Sequence, residues 1–259
     1  MEKNKQIVIA GLGEVGKPLY QLIAQHRDTV GVDVGTPLDG IEQVEVLHIC
    51  FPFQIKDFVG EVARYAELFK PELIVINSTV AVGTTRTVAE RTGVPTVNSP
   101  IRGKHARMLE ELQKYTKFVG ANDPVAGEHA VQHFESVGLK TKLLTSAEAS
   151  ELAKLTETTY FGLMIAWAQE IERYCDRTGA NYEEIISFYE EIKFFPQVKY
   201  FPGVIGGHCV MPNIGILRNF DNSMILQAIE ASNQMKIERD SRKLEVELSA
   251  EHFSVQTPA

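Results

Sequence analysis

The chain has 259 residues, 44% of them hydrophobic, enough to bury a sizeable core in one large domain or two modest ones. Its formal net charge of −8 argues against general nucleic-acid or anionic-membrane binding. Three widely spaced cysteines, Cys50, Cys175 and Cys209, suit a reducing cytoplasm and neither a disulfide framework nor a metal site. No apolar run approaches the roughly 20 residues of a membrane span, and the opening residues contain no apolar signal segment.

The first predicted element begins at Ile7. Ile7-Val-Ile-Ala-Gly-Leu-Gly-Glu-Val-Gly16 reads as a strand that turns at Gly11, Gly13 and Gly16 into a helix. Gly11 permits the tight turn, Gly13 lets backbone N–H groups approach a pyrophosphate, and Gly16 lets helix and strand pack closely. The pyrophosphate would sit at the positive end of that helix. The next strand, Thr29-Val-Gly-Val-Asp33, ends in a carboxylate able to accept both ribose hydroxyls of an adenosine. Asp33 is followed by Val34, Gly35 and Thr36, with no arginine to welcome a 2′-phosphate, so NAD is favoured over NADP. The competing reading is a solvated aspartate at a strand end.

Val44 to Phe51 is expected to be a third strand, Ile55 to Phe69 a helix, and Glu72 to Asn77 a fourth strand. A loop, Ser78-Thr-Val-Ala-Val-Gly-Thr84, and a helix to about Thr92 follow. Pro95 to Asn98 and Lys117 to Gly120 are read as further strands. Alternation of strands and helices implies a parallel sheet with ligands at the carboxyl ends of its strands, which places Ser78, Thr79, Asn98 and Ser99 on the ligand side.

Near Thr145 the rhythm changes. Thr145-Ser-Ala-Glu148 reads as a capping box opening a helix to about Arg177. Its apolar positions are Leu152, Leu155, Phe161, Met164, Ile165, Ala168 and Ile171. A helix from Tyr182 to Ile192, a Gly-, Pro- and aromatic-rich loop from Phe194 to Asn213, and a last helix from about Ser223 to Leu248 complete the pattern. Ser249 to Ala259 reads as a frayed tail. The expected architecture is a Rossmann-type, doubly wound parallel sheet over 1–145, followed by an all-helical substrate and dimerisation domain over 146–259.

Several residues are candidates for chemistry. Lys154 and Thr158 share a helix face at i and i+4, so ammonium and hydroxyl could address one ligand. Alternatively, Lys154 belongs to a solvated stripe with Glu151 and Glu157. Cys209, after Gly206-Gly-His208, is either a nucleophile with close backbone access or a small buried hydrophobe. His208 is a base, a hydrogen-bond donor or a solvated loop residue. Arg102-Gly-Lys-His-Ala-Arg107 is either a binding patch for a phosphate or carboxylate or a solvated helix start.

Taken together, Gly11-Leu-Gly-Glu-Val-Gly16, Ser78-Thr-Val-Ala-Val-Gly-Thr84, Glu151-Leu-Ala-Lys154 and Gly206-Gly-His-Cys209 resemble the UDP-glucose/GDP-mannose dehydrogenase family. The resemblance covers nearly the whole chain, and the Gly-Gly-His-Cys form is similar to the N-acetylmannosamine-uronate branch. It implies NAD as cofactor and oxidation of a nucleotide sugar's primary alcohol to a carboxylate in two steps. Cys209 would add to the intermediate aldehyde, Lys154 would stabilise the oxygen undergoing change, and Thr79 would help place a water. The candidate cofactor set is Gly11, Gly13, Glu14, Val15, Gly16, Asp33, Phe51, Pro52, Ser78 and Thr79. The catalytic set is Lys154, Cys209, Thr79 and Thr158, and the substrate set is Arg102, Lys104, His208 and Asn213. A homodimer through the helical domain is implied, with the long helix around Trp167 at its centre.

The sequence departs from the family pattern at three positions. Thr158 stands where asparagine is usual, Ile101 follows Pro100 where glutamate is usual, and Asn213 replaces an aspartate. Family members also continue into a further nucleotide-sugar-binding domain, and this chain is expected to be a shortened form without it. The leading expectation is an NAD-dependent dehydrogenase acting on an alcohol that carries an anionic or nucleotide-sugar-like group. A non-catalytic NAD-binding sensor or partner subunit is the alternative.

Overall fold

A computed structural model describes residues 5–103, 107–193 and 200–254. The chain divides into two compact units, Met1–Leu155 and Thr156–Ala259. The first unit runs β1 (Gln6–Ala10), α1 (Gly16–Ile23), β2 (Thr29–Val32), β3 (Val44–Ile49), α2 (Phe58–Phe69), β4 (Leu73–Ile76) and α3 (Thr84–Thr92). It continues through β5 (Thr96–Asn98), α4 (Met108–Lys114), β6 (Lys117–Ala121), α5 (Pro124–Ser136) and β7 (Thr141–Leu144). The helix α6 (Ala147–Thr178) crosses into the second unit, which adds α7 (Tyr182–Glu190), α8 (Val210–Phe220) and α9 (Met224–Ser254).

The strands form one sheet in the order β2-β1-β3-β4-β5-β6-β7. The order reverses at β1, which pairs with both β2 and β3 in parallel. The expectation of a parallel sheet holds except between β5 and β6, which are antiparallel. The chain leaves β5, forms α4 and returns to begin β6 at the same edge, so no crossover reverses it. Lys117 therefore starts its strand at the carboxyl edge of the parallel strands. The helix α5 and the strand β7 were not anticipated from sequence: Thr141–Leu144 is short and half-exposed, with little apolar pattern to signal a strand.

Alternation along the strands sends side chains into two layers. Ile7, Ile9, Val46, Leu73, Val75 and Val97 pack with α1, α4 and α5 residues such as Leu19, Leu112 and Phe134. Val8, Ala10, Leu47, Ile49, Ile74 and Ile76 pack with α2 and α3 residues such as Phe58, Val62 and Val88. The sheet is thus buried on both faces, as expected of a doubly wound fold.

Several element boundaries shift for identifiable reasons. The helix α2 begins at Phe58 and not at Ile55, because the Asp57 carboxylate accepts from the Gly60 N–H at 2.9 Å and caps it. The cap of α6 is Ser146, whose Oγ accepts from the Ala149 N–H at 3.1 Å, rather than the expected Thr145-to-Glu148 box. Glu148 is drawn away by Arg86 at 2.5 Å. In the second unit α8 covers Val210–Phe220, so Asn213 lies in a helix and not in a loop. The helix α9 continues to Ser254, beyond the expected end at Leu248. Residues 194–199 of the expected loop lie outside the described residues.

The helical unit has two apolar centres. Ala166, Val210, Ile214, Leu226 and Ile229 form one, and Ile171, Cys175 and Ile186 the other. Gly162 allows the close approach of α6 to α8, since a Cβ there would lie 2.8 Å from Val210 Cγ1. Phe161, expected on the packed side of α6, is 47% exposed; Ala166, Gln169 and Cys175 take the inner positions instead.

One layer of the sheet holds a fully buried polar chain. Lys117 Nζ donates to Asn77 Oδ1 at 3.1 Å and to the Ser99 carbonyl. Asn77 Nδ2 donates to the Val75 carbonyl and to His48 Nδ1 at 3.0 Å. His48 Nδ1 being the acceptor, its Nε2–H points to His133 Nε2 at 2.9 Å, and His133 Nδ1 is left without a partner. Burial pushes the Lys117 ammonium down to about 7, holds His48 well below the usual histidine range and lowers His133 to about 3. Burial likewise pushes the Cys50 thiol up to about 12.

These shifts set the pH dependence of stability. The unfolded chain keeps its Lys117 proton up to 10.5 and the folded chain releases it near 7, so stability rises with pH between them. Cys50 acts oppositely between 9 and about 12, and His133 destabilises as pH falls from 6.5 toward about 3. The melting temperature, followed by circular dichroism, is expected to climb from pH 4 to about 9 and level off up to about 10.5. Lys117→Met removes the climb between about 7 and 9.

Candidate active site

The reversal of strand order opens a crevice at the carboxyl ends of β1 and β3. Gly11, φ +93°, turns the chain out of β1, and a Cβ there would lie 2.7 Å from the Phe51 nitrogen. A Cβ on Gly16 would collide with the Gly11 carbonyl, so α1 starts directly against the turn. At Gly13 a Cβ would meet nothing within 4 Å. Folding therefore requires Gly11 and Gly16, whereas Gly13 leaves backbone open to an approaching group. Val15 is the N-cap of α1 and offers no side-chain cap, and the first turn carries no acidic residue. That end of the helix suits an anion.

Asp33 stands at the crevice rim. Its Oδ2 accepts from the Leu12 N–H and its Oδ1 from the Val34 N–H, each at 2.8 Å. Two backbone donors aim the carboxylate, and an ionised carboxylate offers about four lone-pair sites, which leaves two for a ligand's hydroxyls. Glu14 and Pro52 are exposed beside the turn. The Phe51 ring packs on Phe58 at 5.2 Å, so its backbone rather than its ring borders the crevice.

After β4, Ser78 Oγ donates to the Phe51 carbonyl at 2.6 Å, which commits its proton to joining the ends of β4 and β3. Thr79 follows, half-buried. Arg102 Nη2 donates to the Thr116 carbonyl at 3.1 Å, and its guanidinium lies 4.8 Å over the Phe118 ring. Lys104 lies outside the described residues.

Glu151 departs most from its sequence reading. It is 1% exposed, not part of a solvated stripe. Its carboxylate accepts from the Gly83 N–H at 2.7 Å, the Thr85 N–H at 2.9 Å and Thr85 Oγ1 at 2.6 Å. The N-cap of α3 is Gly83, which has no side chain to cap its own helix, and a carboxylate from α6 does so instead. Lys154, one turn later and half-buried, is thereby placed relative to the loop that carries Ser78 and Thr79.

In the helical unit Cys209 is the N-cap of α8, half-buried, after Gly207 at φ +80° and an exposed His208. The thiol thus lies at the start of α8, the positive end of that helix's dipole. The approach to Cys209 is fixed by residues the sequence reading missed. Asn233 on α9 accepts from the Ile205 N–H at 2.7 Å and donates to the Ile205 carbonyl at 3.0 Å. Gln169 on α6 donates to the Gly203 carbonyl at 2.8 Å and accepts from Ser232 Oγ at 2.8 Å. Their signal in the sequence is only that polar residues occupy inward-facing helical positions. Thr158 and Asn213, two of the positions that depart from the family pattern, meet: Asn213 Nδ2 donates to Thr158 Oγ1 at 3.2 Å. Among the described residues no group of three His, Cys, Asp or Glu side chains is placed to hold a metal ion.

A sheet whose strand order reverses at a glycine turn, with helices on both faces, is the architecture of the Rossmann class of doubly wound folds. Residues 148–236 match the UDP-glucose/GDP-mannose dehydrogenase family, central domain. It is 27% identical to the UDP-N-acetyl-D-mannosamine dehydrogenase of Methanocaldococcus jannaschii, over 94% of this chain and 66% of the relative. It is 24% identical to the NDP-N-acetyl-D-galactosaminuronic acid dehydrogenase of Ralstonia nicotianae, over 80% of this chain and 62% of the relative. The chain thus spans about two thirds of the length of these curated relatives. Among solved structures, it resembles the UDP-D-ManNAc dehydrogenase of Pyrococcus horikoshii, with a TM-score of 0.81 at 20% identity over 95% of this chain and 72% of that one. A 3-hydroxyisobutyrate dehydrogenase from Mycobacterium tuberculosis shares the fold, with a TM-score of 0.69 at 15% identity over 90% of this chain and 94% of that one.

Glu151→Ala removes the acceptor of three donors and leaves two backbone N–H groups buried. A loss of about 3 kcal/mol or more is expected, measured by urea unfolding, whereas Glu157→Ala on the exposed side of α6 leaves stability within about 0.5 kcal/mol.

Proposed function

We propose that this chain is an NAD-dependent dehydrogenase acting on an alcohol of an anionic or nucleotide-sugar-like substrate. The observation that carries the reading is the pairing of Gly13, open to solvent where no packing requires a glycine, with an Asp33 carboxylate aimed by two backbone donors. Gly11, Gly13, Glu14, Val15, Gly16, Asp33, Phe51, Pro52, Ser78 and Thr79 would hold the dinucleotide. Its diphosphate would lie against the uncapped start of α1 and its ribose hydroxyls on Asp33, which repels a 2′-phosphate. The group supplies a hydride acceptor when bound.

The chain's own residues supply the rest. The Lys154 ammonium stabilises negative charge on the substrate oxygen undergoing oxidation. The Cys209 sulfur, as thiolate, adds to an aldehyde carbon, forming the C–S bond of a thiohemiacetal while the carbonyl electrons move onto oxygen. Thr79 and Thr158 orient water and substrate hydroxyls. Arg102 and Lys104 attract the anionic group, and His208 and Asn213 contact the remainder. The relatives' names as dehydrogenases of nucleotide sugars support this class of substrate.

Two chains are proposed to pair through α6. Tyr160, Leu163, Trp167 and Tyr174 are exposed on it at helical spacing, an apolar stripe that suits a self-complementary interface. A solution mass twice 28.9 kDa is expected at micromolar concentration, and Trp167→Glu shifts it toward the monomer.

Thermal shift with NAD, followed by turnover, tests the cofactor and the thiol. NAD raises the melting temperature of the wild type by mass action. Gly13→Ala melts within about 1 °C of the wild type yet shows no NAD-dependent shift, because its Cβ enters the ligand's space and not the protein's. Cys209→Ala keeps the shift and forms aldehyde but no acid. NAD binding without turnover of any alcohol would instead favour a binding subunit.

A further inference from the structure

We propose that Lys117 is the buried counter-charge of the diphosphate at the carboxyl edge of the sheet, and that dinucleotide binding is coupled to uptake of one proton by this side chain. The inference rests on the dinucleotide reading above.

Lys117 is 4% exposed, and among the described residues no carboxylate pairs with it. Its Nζ has two acceptors, the Ser99 carbonyl and Asn77 Oδ1. A neutral amine has two N–H groups and satisfies both; a third proton would face only the Phe134 ring, 5.2 Å away. The charges and polar groups that act on it come from several elements. Cys50 and His48 come from the end of β3 and from β3, Arg102 from the segment after β5 and Lys154 from α6, while the Phe134 ring of α5 lies beside the amine and His133 of α5 pairs with His48. The Cys50 thiol, pushed up to about 12 by burial, does not supply a negative charge at neutral pH. The two imidazoles are held neutral, and Arg102 and Lys154 are cations. Every protein group around the amine is therefore neutral or positive, and a buried ammonium without an anion is strongly disfavoured.

The missing negative charge has a place to come from. Cys50 is the residue on which the start of α1 rests, since a Cβ on Gly16 would lie 3.0 Å from Cys50 Cβ. Lys117 Nζ donates to Asn77 Oδ1 at 3.1 Å, and the Asn77 side chain hydrogen-bonds the Cys50 thiol. Asn77 and Cys50 thus link the amine to the helix terminus at which a diphosphate would bind, and amine and terminus both present positive potential to it. Burial has brought Lys117 to about 7, so a nearby anion charges it within the neutral range. By linkage, whatever factor the anion adds to proton affinity, the proton adds to anion affinity. NAD carries no group of its own that titrates between pH 6 and 9.

The test is calorimetric titration of NAD into the whole chain at pH 7.5 in phosphate and in Tris, whose ionisation enthalpies differ. If the diphosphate raises the proton affinity of Lys117 about tenfold, uptake of about half a proton per NAD is expected, with affinity about sevenfold weaker at pH 9 than at pH 6.5. Lys117→Met should bind NAD with the same enthalpy in both buffers and with a flatter pH profile. Where that variant does not fold, the Lys117 Cε carbon resonance of lysine-labelled wild type should titrate about one unit higher when NAD is saturating. NAD binding with no buffer dependence, or uptake that persists in Lys117→Met, overturns the coupling and leaves the dinucleotide reading standing. Absence of NAD binding overturns both.

Discussion

The contact of Gly16 with the carbonyl of Gly11 is the constraint from which the first unit is built. It forces α1 to start at the end of β1, with its uncapped N-terminus at the point where the strand order reverses. Asp33 at the end of β2 and Phe51 after β3 then border the same crevice, each tied to the turn through backbone atoms. The proposed anion site is thus built from backbone geometry, and side chains only refine it.

Polar groups hold the rest of the site with few alternatives open to them. A glycine N-cap leaves α3 without its own acceptor, and Glu151 supplies one from a helix 66 residues further along the chain. Asn233 and Gln169 do the same for the backbone that leads to Cys209. In each case loss of one side chain would remove the hydrogen-bond partner of a backbone group in another segment. The two altered positions, Thr158 and Asn213, share a hydrogen bond. Two of the three departures from the family pattern therefore fall on one contact that remains satisfied.

The polar chain from Lys117 to His133 is of a different kind. Four strands and a helix enclose a lysine, an asparagine and two histidines without a carboxylate among them. Burial lowers the proton affinity of the lysine and both histidines, so they act as a reserve of basic sites inside an otherwise apolar layer. Such a reserve makes the unit's stability and its electrostatics respond to pH in the neutral range.

The amino-acid sequence alone determined the glycine turn, the acidic residue at the second strand end, the parallel β/α alternation as far as β5, and the long helix with Lys154. All of these are local patterns, fixed by periodicity, glycine placement and spacing within a few tens of residues. Tertiary structure alone decided the reversal at β6, the burial of Glu151, the placement of Asn213 within a helix and the enclosure of Lys117. A short strand's direction depends on which edge its neighbour leaves free. A charged residue is buried only when a distant segment brings it donors, or surrounds it with apolar side chains. No window of sequence contains both partners of such a contact, so its effect on either residue appears only when the chain has folded.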